Sequence, residues 1–365
     1  MWFIVLTILP IAALTYVGWH LWILLPLAAG WKVAIISTYV ACFLLIFINF
    51  TGKLDLFPLP LARAIYNIGT SSLIVLLYLV LIFFVLDLAR LVHILPSSVL
   101  HKNWITFGVL FVGTFALMLY GNWRYRNKVR VSLSLTTEKT LPKNYRLLMA
   151  SDLHLGYHNS RKELARWVDI INAEKPDLVL LAGDIIDIST RPLVEENMAE
   201  EFRRITAPVY ACLGNHEYYS GSPEAQRFYS DAGIHLLSDA TTEIDSAIVI
   251  IGRDDETNNR RKPLKELMAV VDKSKYVIIL DHQPHHLDRA ERAGVDFQLC
   301  GHTHRGQVWP ISWLTDKMYE CSWGSHQRGN TQFYVSSGLG IWGGKFRIGT
   351  QSEYVIAELK GHLLE

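Results

Sequence analysis

The sequence predicts an α/β fold carried behind an N-terminal four-helix transmembrane domain. Three observations lead there. Apolar residues make up half of the 365-residue chain and crowd into its first third. From Tyr145 onward, short apolar strand-like runs alternate with amphipathic helix-like ones, the rhythm of a sheet covered by helices. At the ends of those strand-like runs stand Asp, Asn and His, where an α/β sheet places its ligands.

Uncharged runs cover 1–31, 33–52, 67–86 and 103–123. Each reaches the ~20 residues that a membrane-crossing helix needs. Four such runs in succession leave no polar face for water, so domain 1–123 is expected to be transmembrane. The chain opens without a basic segment, and its first apolar stretch is longer than the ~7–15 residues of a signal-peptide core, which favours a retained anchor. The stretch 51–66, with Pro58 and Pro60, is expected as a short interfacial connection. Asp87 and Arg90 can pair as i,i+3 neighbours near the end of the third span. Arg124, Arg126, Lys128 and Arg130 form a basic collar, and 124–143 is expected as a linker.

The remaining domain, 144–365, starts with a strand at 146–150, an amphipathic helix at Arg161–Ala173 and a strand at Leu178–Ala182. A polar helix follows near 195–204, then strands at 209–213, 247–251 and 277–280, with helices after Pro223 and at 264–271 between them. Strand signals return at 332–335 and 354–359, which predicts two sheets. A net charge of +1 argues against a nucleic-acid partner bound through a broad basic face. Cys42, Cys212, Cys300 and Cys321 have neither disulfide nor zinc-cluster spacing.

Four fragments carry the chemistry: Asp152-Leu153-His154, Gly183-Asp184-Ile185-Ile186-Asp187, Gly214-Asn215-His216-Glu217 and Gly301-His302-Thr303-His304. With His282 they supply the O and N donors that a pair of metal ions requires. Any one of them alone would be unremarkable turn material; all of them, in this order and each after a strand-like run, point to one two-metal site.

In this order the motifs DLH, GDIID, GNHE, DH and GHTH resemble the calcineurin-like metallophosphoesterases, over residue 144 to the C-terminus. The likeness is to the membrane-tethered bacterial branch, similar to UDP-2,3-diacylglucosamine pyrophosphatases, and it implies a two-sheet β-sandwich flanked by helices. It implies that Asp152, His154 and His304 bind one metal, that Asn215, His282 and His302 bind the other, and that Asp184 bridges them with His216 beside them as an acid. Many members have Asp after the GNH histidine and Gly after GHTH. Here Glu217 and Arg305 stand there, at positions that are not ligands, so these departures bear on substrate choice.

Two divalent cations ~3.5–4 Å apart can hold the oxygens of a phosphate and offset the charge that grows in an in-line displacement. Mixed O and N donors suit manganese, and also iron or zinc. No Gly-x-Ser-x-Gly elbow occurs in the chain. Asp184 opens the loop after a core strand and is the candidate to bridge. Asp187 is expected to orient a ligand imidazole rather than to bind metal. His216 either protonates a leaving group or steadies the phosphate.

Arg305, Lys345 and Arg347 flank late loops and are candidates to hold a second phosphate or an anionic head group, with solvated loop charges as the alternative. Trp309, Trp313, Trp323 and Trp342 form either an apolar lip facing lipid or part of the sandwich core. His285, His286 and the run Arg260-Arg261-Lys262 are expected at the solvated surface. The expected protein is a multi-pass phosphoesterase acting on a membrane lipid or lipid-linked phosphate. Lys53, Arg63 and the collar outweigh Lys32, Arg90 and Lys102, which puts the catalytic domain in the cytoplasm of a bacterial inner membrane. A general phosphodiesterase merely tethered to the membrane, and a transporter or sensor regulated by its phosphoesterase domain, stay open. Oligomeric state is not readable.

Overall fold

A computed structural model describes residues 8–363. The chain divides into two compact units, one running to Trp123 and including Gly343–Phe346, the other made of Arg124–Trp342 and Arg347 onward.

The first unit is helical. Helices α1 (Leu9–Leu24), α2 (Ala29–Asn49), α3 (Leu59–Leu91) and α4 (Trp104–Arg126) follow one another. Among the described residues three helices, α2 to α4, are long and apolar enough to cross a membrane. The expected fourth span is seen as α1, which at 16 residues is shorter than a crossing needs; residues 1–7 lie outside the described part. Helix α3 begins eight residues before the expected start, because Pro58 caps it and Pro60 falls in its first turn, where a missing N–H costs nothing. The stretch expected as an interfacial connection is therefore a single 3-10 turn, Lys53–Leu56, followed by helix.

Most large apolar side chains of this unit point outward, among them Trp31, Val85, Ile105 and Phe111, as lipid-facing helices require. Inward, Val17, Leu24, Phe43, Leu76 and Phe83 make a small core. Helices α2 and α3 touch backbone to backbone at Gly69, where a Cβ would stand 2.6 Å from the Ile46 nitrogen. Asp87 and Arg90 do pair, at 3.3 Å, but Asp87 also accepts from the Tyr16 hydroxyl at 2.7 Å and faces His20 at 2.9 Å, tying α3 to α1.

The second unit holds two six-stranded sheets. Its strands are β1 (Val129–Leu141), β2 (Tyr145–Ala150), β3 (Leu178–Ala182), β4 (Val209–Cys212), β5 (His235–Leu236), β6 (Ala240–Ile244), β7 (Ile248–Gly252), β8 (Tyr276–Leu280), β9 (Phe297–Cys300), β10 (Gly324–Arg328), β11 (Thr331–Val335) and β12 (Glu353–Leu363). One sheet has the order β1-β12-β2-β3-β4-β5, the other β10-β11-β9-β8-β7-β6. Strands β2 to β5 run parallel, as do β7, β8, β9 and β11.

Alternation sorts the side chains of each central strand. Leu147, Met149, Leu180, Ile250, Ile278 and Leu299 fill the space between the sheets. Their neighbours Leu148, Val179 and Leu181 meet Leu164, Trp167 and Val168 of helix α5 (Arg161–Ala173) on one outer face. Val249, Ile251 and Val277 meet Leu264, Leu267 and Leu287 on the other. Burial on both faces explains why these strands read as continuous apolar runs.

The segment 124–143, expected as a linker, is no linker: β1 occupies most of it and pairs in parallel with β12. Its polar-apolar alternation is that of an edge strand, and the charge density of the collar hides it from a search for apolar runs. The polar helix near 195–204 is broken into Arg191–Glu195 and Met198–Phe202 by Asn197, which adopts a left-handed conformation at φ 52°. A structural strand and a linker respond differently to truncation of an inward side chain. Leu135→Ala, at a fully buried position of β1, is expected to destabilise the unit by about 2–5 kcal/mol, whereas Ser134→Ala, on the outer face, is expected to change little. Chemical denaturation of the two variants side by side checks this, and equal midpoints would return 124–143 to the status of a tether.

Candidate metal centre

The parallel strands of both sheets deliver their C-terminal ends to one place. Asp152 and His154 follow β2, Asp184 and Asp187 follow β3, and Asn215, His216 and Glu217 follow β4. From the second sheet, His282 follows β8, and His302 and His304 follow β9. Five of these residues, Asp152, His154, Asp184, His302 and His304, have positive φ between 45° and 71°. For residues with a Cβ this conformation costs roughly 1–3 kcal/mol each, so it persists only where the surroundings enforce it.

Glycines make the crowding possible at two of these turns. A Cβ on Gly214 would lie 2.2 Å from Asp184 Oδ1, and one on Gly301 would lie 2.4 Å from Asp152 Oδ2. Only a bare backbone lets the loops from different strands close in so far.

Three groups of side chains converge: Asp152, His154 and His304; Asp184, His282 and His302; and His154, Asp184 and His216. In the first, the Nε2 atoms of His154 and His304 face each other at 3.0 Å, with Asp152 Oδ1 3.8 Å and 3.4 Å from them. In the second, His282 Nε2 stands 3.0 Å from Asp184 Oδ2, and Asn215 Oδ1 adds a donor 2.8 Å from His302 Nδ1. Asp184 belongs to both sides, because Oδ2 is also 3.7 Å from His154 Nε2. Its other oxygen, Oδ1, accepts from the His216 backbone N–H at 2.9 Å.

Cations fit this donor set. His282 Nδ1 donates to the Ala182 carbonyl at 2.7 Å, which fixes the tautomer, and Nε2, buried and without a hydrogen bond, is left aimed at Asp184. Burial pushes Asp152, Asp184 and Asp187 towards neutrality, yet neighbouring imidazoles hold all three well below the usual carboxylate range. Against the same burial, the carboxylates Asp152 and Asp187 lift His154 to about 10, and Asp184 lifts His282. Burial, with like charge nearby, pushes His302 down to about 4 and His304 to about 3, leaving them neutral and able to ligate. Three buried anions thus face two protonated rings, His154 and His282, whose protons divalent ions would displace.

Asp187 sits behind the rings. Its Oδ1 lies 3.1 Å from His216 Nδ1 and 3.4 Å from His154 Nδ1, and its Oδ2 is 3.8 Å from His158. It is placed to orient imidazoles, and His158 is a neighbour that sequence reading missed, since no motif contains it.

The late basic residues divide. Arg305 lies over the Trp323 ring at 4.4 Å, 3.7 Å from Asp316. Lys345 belongs to the first unit, where its carbonyl accepts from Asn122 at 3.0 Å. Arg347 departs from expectation: it is wholly buried, and its guanidinium donates to the carbonyls of His304, at 2.7 Å, and of Ser337 and Gly340. Burial lowers it to about 10, so it stays cationic at neutral pH. A guanidinium enclosed by carbonyls cannot receive a second phosphate; it braces the His304 loop. Arg261, expected in solvent, pairs at 3.1 Å with Asp281, the residue before His282, and His285 stacks on Tyr319. Trp323 donates to Glu353 within the sandwich, leaving Trp309 and Trp313 as large exposed rings.

Glu217 is the other correction. Its buried carboxylate points away from any substrate and accepts from the backbone N–H groups of Gly214 at 2.7 Å, Asp184 at 3.0 Å and Ile186 at 3.0 Å. One side chain thereby joins the loops after β3 and β4. Glu217→Gln would set an amide N–H₂ against backbone N–H donors and is expected to cost about 1–3 kcal/mol, with a loss of metal occupancy. Thermal unfolding together with elemental analysis checks both, and full occupancy in the variant would remove the positioning role.

The family model described as calcineurin-like phosphoesterase matches residues 145–306, the span from β2 to the GHTH loop. A Campylobacter jejuni protein described as an uncharacterized metallophosphoesterase is 32% identical over 228 residues, 60% of this chain and 60% of its own. An Aquifex aeolicus protein of the same description is 32% identical over 241 residues, 62% of this chain and 90% of that one. A zebrafish transmembrane protein with metallophosphoesterase domain is 30% identical over 270 residues, 68% of this chain and 61% of that one. The chain thus spans about three fifths of the Campylobacter and zebrafish proteins. With the converged Asp and His side chains and the near full-length match to the Aquifex protein, this chain belongs to the calcineurin-like metallophosphoesterase family.

Proposed function

We propose that the protein is a membrane-anchored dimetal phosphohydrolase that cleaves phosphodiester or pyrophosphate bonds of a lipid-linked substrate. The observation that carries the reaction class is the convergence of two donor groups with Asp184 between them, 3.0 Å from His282 and 3.7 Å from His154. Asp152, His154 and His304 would hold one ion, Asn215, His282 and His302 the other, with Asp184 shared between them. A divalent pair in such a site supplies positive charge for a phosphoryl group and makes a water acidic enough to attack it. The chain's own residues do the rest. Asp187 keeps the Nδ1 edges of His154 and His216 turned towards itself, so that the Nε2 edge of His216 is the one available to hand a proton to the leaving oxygen. Ala182 does the same for His282 through its carbonyl.

Asp184→Asn is expected to abolish hydrolysis of an activated phosphodiester in a folded protein and to lower its metal content. His216→Ala is expected to keep both ions and slow turnover by ~10²-fold or more, the usual scale for a general acid. Elemental analysis beside steady-state rates separates the two, and an Asp184→Asn enzyme of full activity would end the dimetal reading.

The lipid-linked substrate is supported by the chain's layout. Helix α4 ends at Arg126 and β1 begins at Val129, so only two residues separate the last apolar helix from the first strand of the catalytic unit. A diffusible substrate gains nothing from such tethering, whereas an amphiphile can keep its tail in the bilayer. The excess of Lys53, Arg63, Arg124, Arg126, Lys128 and Arg130 over Lys32, Arg90 and Lys102 supports a cytoplasmic catalytic unit. In sealed inside-out vesicles, lipid pyrophosphates such as UDP-diacylglucosamine should be turned over faster than soluble nucleotide diesters, and in right-side-out vesicles the soluble diesters should be untouched. Soluble diesters cleaved as well as every lipid tried would favour a general phosphodiesterase; cleavage in right-side-out vesicles would reverse the orientation.

A further inference from the structure

A surface helix of a soluble domain buries its apolar side and shows its polar side to water. The helix Ile311–Met318 does the reverse. Ser312 and Thr315 are its buried residues, at 5% and 7% exposure, while Trp313 is 61% exposed, Leu314 55% and Met318 67%. Ile311 and the preceding Trp309 are also exposed, and the rings of Trp309 and Trp313 meet edge to face at 5.3 Å. A continuous apolar face of this kind marks an interaction surface.

The helix is seated firmly on the loop that carries His304. Gly306, two residues after that histidine, lies so close that a Cβ there would stand 2.5 Å from Thr315 Oγ1 and 2.7 Å from the Ile311 carbonyl. The Trp309 N–H donates to Ile348 at 2.7 Å, and the Ser312 N–H to Val308 at 3.2 Å. The small polar side chains are inside because only they allow this approach. The large apolar ones are outside, and none of that packing needs them there.

We propose that Trp309 and the outer face of Ile311–Met318 form an interfacial lipid-binding element, which lies in the headgroup and upper acyl region of a bilayer. Three features of the chain select a bilayer over a protein partner. The same chain carries three helices long and apolar enough to cross a membrane, the last of them two residues from the first strand of this unit, so lipid is present at high effective concentration. Paired tryptophans beside aliphatic side chains are the composition of a membrane interface. Lys317 is exposed beside Met318 and offers a cation to lipid phosphates, while the charge of Asp316 is engaged by Ser322 and by Arg305 at 3.7 Å. A bilayer bound here steadies the His304 loop through the Gly306 seat. The inference rests on the membrane anchoring in the proposed function and not on the identity of the substrate.

A nitroxide label placed by Leu314→Cys in the full-length protein, with Cys42→Ala as background and Lys273→Cys as the exposed control, tests it in phosphatidylcholine–phosphatidylglycerol vesicles. The Leu314 label is expected to be relaxed more by oxygen, which concentrates in lipid, than by a water-soluble nickel complex, and the Lys273 label to show the opposite order. Equal exposure of both labels to the nickel complex would overturn the proposal. So would protection of the Leu314 label that disappears as the protein is diluted into excess lipid, which identifies a second copy as the occupant. Because the readout needs no turnover, an inactive protein with a lipid-embedded label would sink the proposed reaction and leave this surface standing.

Discussion

Three buried carboxylates gathered around the His154 ring need positive charge between them, and much of the second unit serves that need. Asp152, Asp184 and Asp187 are removed from water, and none can ionise there without a partner. Imidazoles from the loops after β2, β4, β8 and β9 gather around them, and two of these, His154 and His282, are held protonated by the carboxylates, with Nε2 edges that metal ions would take. The cost of the arrangement appears in the backbone. Five of the site residues sit in left-handed conformations, which the loops accept because Glu217, Ala182, Arg347 and the bare glycines hold them. Strain and charge are therefore stored together, at the edge where the central parallel strands of both sheets end.

That edge explains the two-sheet architecture. One parallel sheet can present a few loops side by side, but a pair of ions wants donors from opposite directions. Strands β2, β3 and β4 bring Asp152, Asp184 and Asn215 from one side, and β8 and β9 bring His282 and His302 from the other. The apolar layer between the sheets, from Leu147 to Leu299, sets their separation, and thereby the distance across which Asp184 reaches His282.

The helical unit follows a different logic. Its side chains face outward because lipid is as apolar as its core, and its polar contacts are few and specific. Tyr16, His20 and Arg90 all converge on Asp87, so a carboxylate that sequence reading paired with one arginine is an inter-helix link. Helix Ile311–Met318 shows the same preference for lipid on a unit that otherwise obeys the rules of water, and its inversion is visible only once the buried positions of Ser312 and Thr315 are known.

Much was legible beforehand. Helix α5 and strand β3 stand where periodicity and apolar runs put them, because burial of the central strands and amphipathicity of the covering helices are written directly into residue order. The convergence of Asp152, His154, Asp184, His282, His302 and His304 was legible too, since Asp and His at the ends of parallel strands are brought to one edge. Other features depend on what meets what. Glu217 and Arg305 occupy neighbouring motif positions with similar claims on a substrate, yet the turn after β4 aims Glu217 inward at three N–H groups, while Arg305 lies over Trp323. Arg347 reads as a loop charge until the fold closes carbonyls around it, and 124–143 reads as a tether until β12, over two hundred residues later, offers an edge to pair with. Residue order by itself determined the family motifs and the strands that carry them, because donor types and apolar periods are local; the tertiary structure decided which charges face water and which brace the site, because that choice is made by contacts between distant segments.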